Sequence, residues 1–256
     1  MKTQFVVKAV IAGCAIFASS LALAVPQVMA GDTIKLTVPA WGGANGGGEF
    51  TASALTGNSP NFQTFCLEYN EHFTPGNTLY VKAVNTGAKG GGGGAVLDPN
   101  TPSLTDTWDP VSSQTAYLYT KFSQGSLVNY DYGTSGSGLT EHTADSQSLQ
   151  LAIWVLEDEI SATLNSAVYA KYTALSAVGL EAQAFVAAAN NAVSTNAWSG
   201  IGQVRALNLY SNASYTSSAQ DQLYLQPIPE PETYAMMLAG LGLIGFVAGR
   251  RRRTLL

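Results

Sequence analysis

Residues 149–154 read Leu-Gln-Leu-Ala-Ile-Trp, and they form the apolar centre of the segment that decides the fold. Apolar side chains recur around them at helical spacing, which predicts a helix over residues 146–159. The acids at 157–159 oppose the dipole at a helix C-terminus, so we expect the helix to stop near them. We interpret these three acids as a solvated helix end.

The elements on either side of this helix predict an α+β domain. A turn at residues 75–77 favours a hairpin between the strands that flank it, and the glycine-rich residues 87–94 are expected to form a flexible loop. Strands, then helices, then strands predict a β-sandwich or barrel with a helical insertion. The predicted helices are 113–122, 146–159, 167–177 and 180–193, and the predicted strands are 33–38, 61–69, 78–84, 203–210 and 222–226.

Composition limits the class of partner. Residues 31–226, between two terminal signals, are enough for one domain with a real core. The chain is acidic, with a formal net charge of −5, and only 11% of its residues are charged. Nucleic-acid binding requires a basic surface, so we expect no nucleic-acid partner.

Cys66 is the single cysteine of the exported domain, so no internal disulfide is expected there. An unpaired thiol is a liability in an oxidising compartment. It lies in residues 65–71, which read Phe-Cys-Leu-Glu-Tyr-Asn-Glu. The simplest interpretation is a buried core cysteine, because free cysteines are among the most buried residues.

These two segments together resemble the thioester domain of bacterial surface adhesins. The resemblance consists of an aromatic-flanked cysteine on an early strand and a glutamine four residues before a tryptophan in an apolar helix. It implies that the sulfur of Cys66 attacks the carboxamide of Gln150, that ammonia leaves, and that an internal thioester remains. Such a bond can acylate an amine or hydroxyl on a partner surface. The alternatives are the same fold without the bond, or a different fold.

Three other groups of residues were candidate sites, but their spacing supports none of them. The two histidines lack metal-site spacing, and no EF-hand pattern is present. A cysteine, a histidine and an acid share one domain often by chance. We therefore expect no metal, no cofactor and no enzyme activity. The groups are Cys66 with His142 and Asp145 as a cysteine-hydrolase triad, His72 with Glu68 and Glu71 as a metal site, and Asp98, Asp106 and Asp109 as a calcium loop.

The C-terminal residues 227–256 have the pattern of a sorting signal. Pro229, Glu230 and Pro231 precede an uncharged apolar run at 234–248, and four arginines follow at 250–253. The run is short for a stable membrane span, which needs roughly 20 residues. The pattern resembles the PEP-CTERM signal of Gram-negative bacteria, which an exosortase reads. It implies at least transient membrane contact through a transmembrane sorting helix, whereas the alternative is a plain single-span anchor.

The N-terminal residues 1–30 are typical of a secretory signal peptide. Lys2 and Lys8 precede an apolar run, and small residues lead up to a predicted cleavage site after Ala30. We therefore expect the Sec machinery to export the chain. Residues 11–14 also resemble a lipobox ending at Cys14, although hydrophobicity continues well beyond it.

Together these features predict an exported cell-surface or extracellular-matrix protein. The thioester resemblance implies a covalent adhesin that reacts with surface amines. The alternative is a non-covalent structural protein associated with exopolysaccharide in a biofilm, and a secreted hydrolase is less favoured.

Overall fold

The computed structural model describes residues 26–42, 47–56, 59–90, 93, 96–97, 107–227 and 238–242. The sorting motif Pro229, Glu230 and Pro231, Asp98 and Asp106, and most of the signal peptide lie outside these residues. The described elements are the strands β1 (Thr33–Thr37), β2 (Phe50–Ala54), β3 (Phe62–Thr64), β4 (Thr78–Asn85), β5 (Gly87–Lys89), β6 (Val96–Leu97), β7 (Thr107–Pro110), β8 (Val204–Tyr210) and β9 (Ser218–Leu225), and the helices α1 (Ser113–Ser123), α2 (Gly136–Leu156), α3 (Ser166–Thr173) and α4 (Ala177–Ser194).

The main sheet is antiparallel and has the strand order β3-β2-β1-β4-β8-β9. In β1, Ile34 and Leu36 are buried and alternate with more exposed residues, as the period of two in a half-buried strand requires. Ile34 stands opposite Leu79 of β4, and both side chains belong to one apolar cluster. The four helices follow β7 and precede β8, so the mixed α and β architecture with a helical insertion is confirmed.

The predicted hairpin across residues 75–77 is wrong. The turn is present, but β3 pairs with β2, whereas β4 pairs with β1 and β8. The strand β2, which the sequence did not indicate, occupies the position beside β3. Local turn chemistry therefore reversed the chain without fixing which strands became neighbours.

The two edges of this sheet meet. The segment after β3 forms a one-residue antiparallel bridge between Cys66 and Gln222 of β9. Two backbone bonds flank it, from Leu223 N to Phe65 O (3.0 Å) and from Leu67 N to Asp221 O (3.1 Å). This closure resembles that of a barrel, in which no sheet edge is left unpaired.

The glycine-rich segment is partly a strand, contrary to the predicted loop. Gly87 to Lys89 form β5, which pairs with β7 in a second, three-stranded sheet. A Cβ on Gly87 would lie 2.3 Å from Asp109 O, so glycine permits this close approach. Residues 91–92 and 94–95 lie outside the described part of the chain.

Helix α2 is the centre of the helical layer. It begins at Gly136, ten residues before its predicted start, and ends at Leu156 as expected. The helix propensity of the first residues is weak, but tertiary contacts that bury His142, Asp145 and Ser146 outweigh it and extend the helix. On its inner face Leu149 and Ile153 join the largest apolar cluster.

The two ends of the chain are described only in part. Val28 packs against the sheet: it is buried, and its N–H donates to the hydroxyl of Tyr224 at 2.9 Å. The cut after Ala30 stays a prediction. Residues 238–242 are helical, and within the described ranges no helix is both long and apolar enough to cross a membrane.

Candidate functional site around Cys66 and Gln150

The fold brings Cys66 and Gln150 together. Cys66 follows β3 in the closing segment of the sheet, and Gln150 projects from α2; both are buried. Cys66 N donates to Gln150 Oε1 at 3.0 Å, and Gln150 Nε2 donates to Cys66 O at 2.8 Å. The carboxamide is therefore held by two hydrogen bonds to the backbone of the residue that carries the sulfur.

A second backbone donor reaches the same carboxamide oxygen. Gly48 N donates to Gln150 Oε1 at 3.3 Å, and Gly48 has a φ of +123°, which favours glycine. A Cβ on the preceding Gly47 would lie 2.3 Å from the Trp154 ring and 2.8 Å from Gln150 Cγ. The two glycines let the loop backbone cover Gln150 closely. Gln150 Oε1 thus lies between two N–H groups, the arrangement that stabilises negative charge on an oxygen.

The thiol of Cys66 is in a dry environment. Gln222 Nε2 lies 3.3 Å from Sγ and donates to it. Burial raises the pKa of Cys66 to about 12; the Gln222 hydrogen bond lowers the pKa and the charge of Glu68 raises it further. Cys66 is therefore a protonated thiol at neutral pH, protected from solvent and held beside an amide donor.

One side of the site is covered by aromatic rings. The rings of Tyr69 and Trp154 meet edge to face with centroids 5.0 Å apart, and Trp154 shares an apolar cluster with Cys66. Phe65 lies in a different cluster and packs on Phe122, because neighbouring residues of an extended chain face opposite sides. Of Phe65 and Trp154, only Trp154 therefore packs on the side of Cys66.

A small cavity adjoins Gln150. Its volume is about 60 Å³, and α2 and α3 both contribute to its wall. It gives the buried carboxamide a neighbouring space through which a small nucleophile could approach. The cavity is lined by Gly47, Tyr69, Gln147, Gln150, Leu151, Trp154, Val168, Lys171 and Val178.

A buried hydrogen-bond network fixes the loop that carries Gly48. Glu49 N donates to Ser146 Oγ at 2.7 Å, and Tyr130 Oη and Trp41 Nε1 donate to the Glu49 carboxylate at 2.7 and 2.8 Å. His142 Nε2 lies 2.8 Å from Glu49 Oε2. This network ties the Gly48 loop to the first half of α2. No local sequence pattern links Gly48, Glu49 or Gln222 to Gln150, so only the fold places them in the site.

The cysteine-hydrolase alternative is not supported. Both ring nitrogens of His142 are engaged elsewhere, with Glu49 Oε2 and with Gly133 O at 3.0 Å. Asp145 accepts from Asp131 N at 2.6 Å rather than orienting the imidazole. The histidine thus belongs to the Glu49 network.

The acids at 157–159 are not a solvated helix end, which corrects the prediction. Glu157 is buried and accepts from Ser112 Oγ at 2.6 Å. Glu159 is buried and accepts from Tyr69 N at 2.8 Å and Gly93 N at 2.9 Å. Only Asp158 is exposed. The two glutamates hold the end of α2 against the Cys66 segment and the start of α1.

Asp109 in β7 is expected to make the free energy of unfolding depend on pH in an unusual way. Burial, then the charges of Glu157, Glu159 and Asp158, raise its pKa to about 8, against about 3.9 for an unperturbed aspartate. A carboxyl with a raised pKa binds its proton more tightly in the folded state. Its stabilising contribution is therefore present below pH 4 and lost as the pH rises through about 8.

We expect Asp109→Asn to flatten the fall in the free energy of unfolding between about pH 4 and pH 8. Denaturant unfolding across this range measures it. Asp32→Asn is the matched control, because it removes an acid whose charge is not among those that raise the pKa of Asp109. An unchanged pH slope in Asp109→Asn would contradict the assignment.

Comparison with known proteins locates one family signature. Residues 227–253 match the PEP-CTERM protein-sorting motif. No curated protein and no solved structure matches the chain. The match confirms the sorting signal predicted from the tail, whereas the thioester-domain resemblance stays a prediction. The motif marks the chain as an exosortase-sorted protein, exported to the surface or exterior of a Gram-negative bacterium.

Proposed function

We propose that the exported domain forms an internal thioester between Cys66 and Gln150 and uses it to attach covalently to a nucleophile on a partner surface. The observation that carries the proposal is the double hydrogen bond between the Gln150 carboxamide and the backbone of Cys66. These bonds hold the carboxamide beside the residue that carries the sulfur, and such proximity is what attack by a thiol on an amide requires.

The proposed bond-forming step conserves every atom. Cys66 Sγ attacks Gln150 Cδ, the C–N bond breaks, and the thiol proton leaves with the amide nitrogen as ammonia. Negative charge develops on Gln150 Oε1, where the N–H groups of Cys66 and Gly48 already point. Fixed donors of this kind lower the barrier because they need no reorganisation during the reaction.

Attachment to a partner would be a second acyl transfer. A primary amine attacks Gln150 Cδ, the C–S bond breaks, and the proton of the amine returns to Cys66 Sγ. An amide bond then joins the partner to Gln150. Burial of both residues supports a bond that survives until a nucleophile enters, since water exclusion prevents premature hydrolysis.

The intact mass of the exported protein tests the proposal. We expect a deficit of one ammonia relative to the sequence, and its absence in Cys66→Ala.

The Gly48 N–H gives a second, graded prediction. Gly48→Ala is strained at a φ of +123° and should shift this N–H from Gln150 Oε1. Loss of one oxyanion donor slows acyl chemistry about 10²- to 10³-fold, so ammonia loss after refolding should slow to a comparable degree. The time course of intact mass measures it.

Gly76→Ala is the matched control for this change. Gly76 has a φ of +89° in an open turn, so alanine there has a similar backbone cost but contacts nothing near Gln150. Equal rates in the two variants would contradict a role for the Gly48 N–H.

A second candidate function is non-covalent binding of exopolysaccharide. A separate cleft of about 470 Å³ is lined by several aromatic rings with amide and carboxyl groups among them. Concave apolar walls with a few polar groups are the usual character of a small-ligand site. The cleft residues include Phe62, Tyr119, Phe122, Tyr132, Tyr224, Asn61, Gln63 and Glu49.

A further inference from the structure

Three acidic side chains meet beside the closing segment of the sheet. Glu68 follows Cys66 by two residues, Glu71 lies further along the same segment, and Asp221 is in β9. One carboxylate oxygen of each lies within 4.8 Å of the others. Glu68 and Asp221 are buried and Glu71 is half-buried.

Glu68 differs from the other buried glutamates of the site. Glu49, Glu157 and Glu159 all accept hydrogen bonds. Both carboxylate oxygens of the fully buried Glu68, and Oε2 of Glu71, are buried without a hydrogen-bond partner among the described residues. A buried carboxylate without a donor is costly, and it indicates that a further group satisfies it.

Asp221 is held rigidly next to these unsatisfied oxygens. Its carboxylate accepts from Asn208 Nδ2 at 2.6 Å, Leu209 N at 2.8 Å and Lys89 N at 2.9 Å. These bonds come from β8 and β5 and leave Asp221 close to Glu68. The cluster therefore combines a fixed acid with Glu68, whose two oxygens lack donors, and Glu71, whose Oε2 lacks one.

We propose that Glu68, Glu71 and Asp221 bind a divalent cation of the hard, oxygen-preferring class, with Ca²⁺ the best fit. Calcium takes carboxylate oxygens at 2.3–2.6 Å, so one ion can contact oxygens up to about 5 Å apart. Magnesium requires a near-ideal octahedron at about 2.0–2.1 Å and usually keeps several waters, so a buried cluster of carboxylates suits it less well. The proposal departs from the expectation that no metal binds, and it uses Asp221 in place of the exposed His72.

The chemical competitor of the cation is a proton. Burial first, then the charges of Asp221 and Glu71, raise the pKa of Glu68 to about 11. A protonated Glu68 could bond to Glu71 without any metal. The two cases differ in whether the exported protein binds Ca²⁺ at neutral pH.

Calcium titration of the chelator-treated, purified exported protein tests the proposal. We expect one site, with a dissociation constant near the 10⁻⁴–10⁻³ M typical of extracellular modules or tighter. The melting temperature should rise with Ca²⁺ concentration, because a ligand that binds only the folded state stabilises it. The same titration with Mg²⁺ should show weaker binding.

Two variants locate the site. Glu71→Gln keeps the shape of a half-buried side chain and removes one charge, so we expect affinity for Ca²⁺ to fall about tenfold or more. Glu68→Gln should also lose binding. Glu141→Gln, on the exposed side of α2, is the matched control and should bind as wild type does.

Two results would overturn the proposal. One is a wild-type protein whose melting temperature and calorimetric titration do not respond to Ca²⁺, which would assign the cluster to a shared proton. The other is equal Ca²⁺ binding by wild type, Glu71→Gln and Glu68→Gln, which would place the ion elsewhere. The proposal is independent of the thioester, since it can be tested in Cys66→Ala.

Discussion

Methylamine is expected to add once to the wild-type protein, at Gln150, and to release the thiol of Cys66. A thioester is an activated acyl group, so a small amine displaces the sulfur and forms a stable amide. Before treatment Cys66 should resist thiol reagents in the folded protein, and after treatment it should react on denaturation. Peptide mapping by mass spectrometry locates the added group.

Variants at Cys66 and on helix α2 make this result specific. Cys66→Ala and Gln150→Ala should show neither the ammonia deficit nor methylamine addition. Gln147 lines the same cavity one turn away, so Gln147→Ala is the matched control and should keep both. Addition at Gln147, or addition that survives Cys66→Ala, would show ordinary side-chain reactivity.

A wild-type protein of full mass would remove the covalent proposal and favour the non-covalent alternative. Cys66 would then be a core residue, and the bonds to Gln150 would close the barrel edge against α2. Binding to exopolysaccharide would in that case be sought in the aromatic cleft beside Tyr119 and Tyr224. The two functions are separable because the cleft and the cavity at Gln150 have different linings.

The sequence predicted the local elements well where periodicity was strong. The strand over Thr33–Thr37 and the helix over Ser113–Ser123 lie where alternation and helical spacing placed them. It did not predict strand pairing. The bridge between Cys66 and Gln222 joins residues far apart in the chain, and no turn signal specifies such a contact.

The contact between Cys66 and Gln150 was predictable from the sequence, but the residues around the two were not. Cys66 and Gln150 stood out because of residue type and flanking aromatics, and the fold brings them into contact. Gly48 lay in a loop rich in glycine, where nothing distinguished the one whose N–H reaches Gln150. Supporting residues of this kind are defined by tertiary geometry, which single-sequence patterns do not encode.

The burial of the acids at the end of α2 could not be predicted from the sequence either. A run of three acids at a helix end normally faces solvent, and the sequence offered no reason to bury Glu157 and Glu159. Their donors are the N–H groups of Ser112, Tyr69 and Gly93. Backbone donors are present at every position in a sequence, so only the fold reveals which ones converge on a carboxylate.

Replacing Pro229, Glu230 and Pro231 by alanine is expected to leave full-length protein in the inner membrane. The apolar run at 234–248 and the arginines at 250–253 would still engage the bilayer, because basic residues hold that end in the cytoplasm. Without the motif the exosortase would have no recognition element, so the tail would stay attached. Membrane fractionation, with antibodies against each end of the chain, measures where the protein is and whether its tail is retained.

Glu232→Gln is the matched control, because it removes an acid immediately outside the motif. Its product should be sorted as wild type is, with the arginine tail lost from the mature protein. A wild type that itself remains in the membrane at full length, with Arg253 retained, would show that the segment is an ordinary anchor. The short apolar run argues against an ordinary anchor, since a stable membrane span needs roughly 20 residues. Weak anchoring in the membrane is sufficient for a segment that is needed only until the chain is cut.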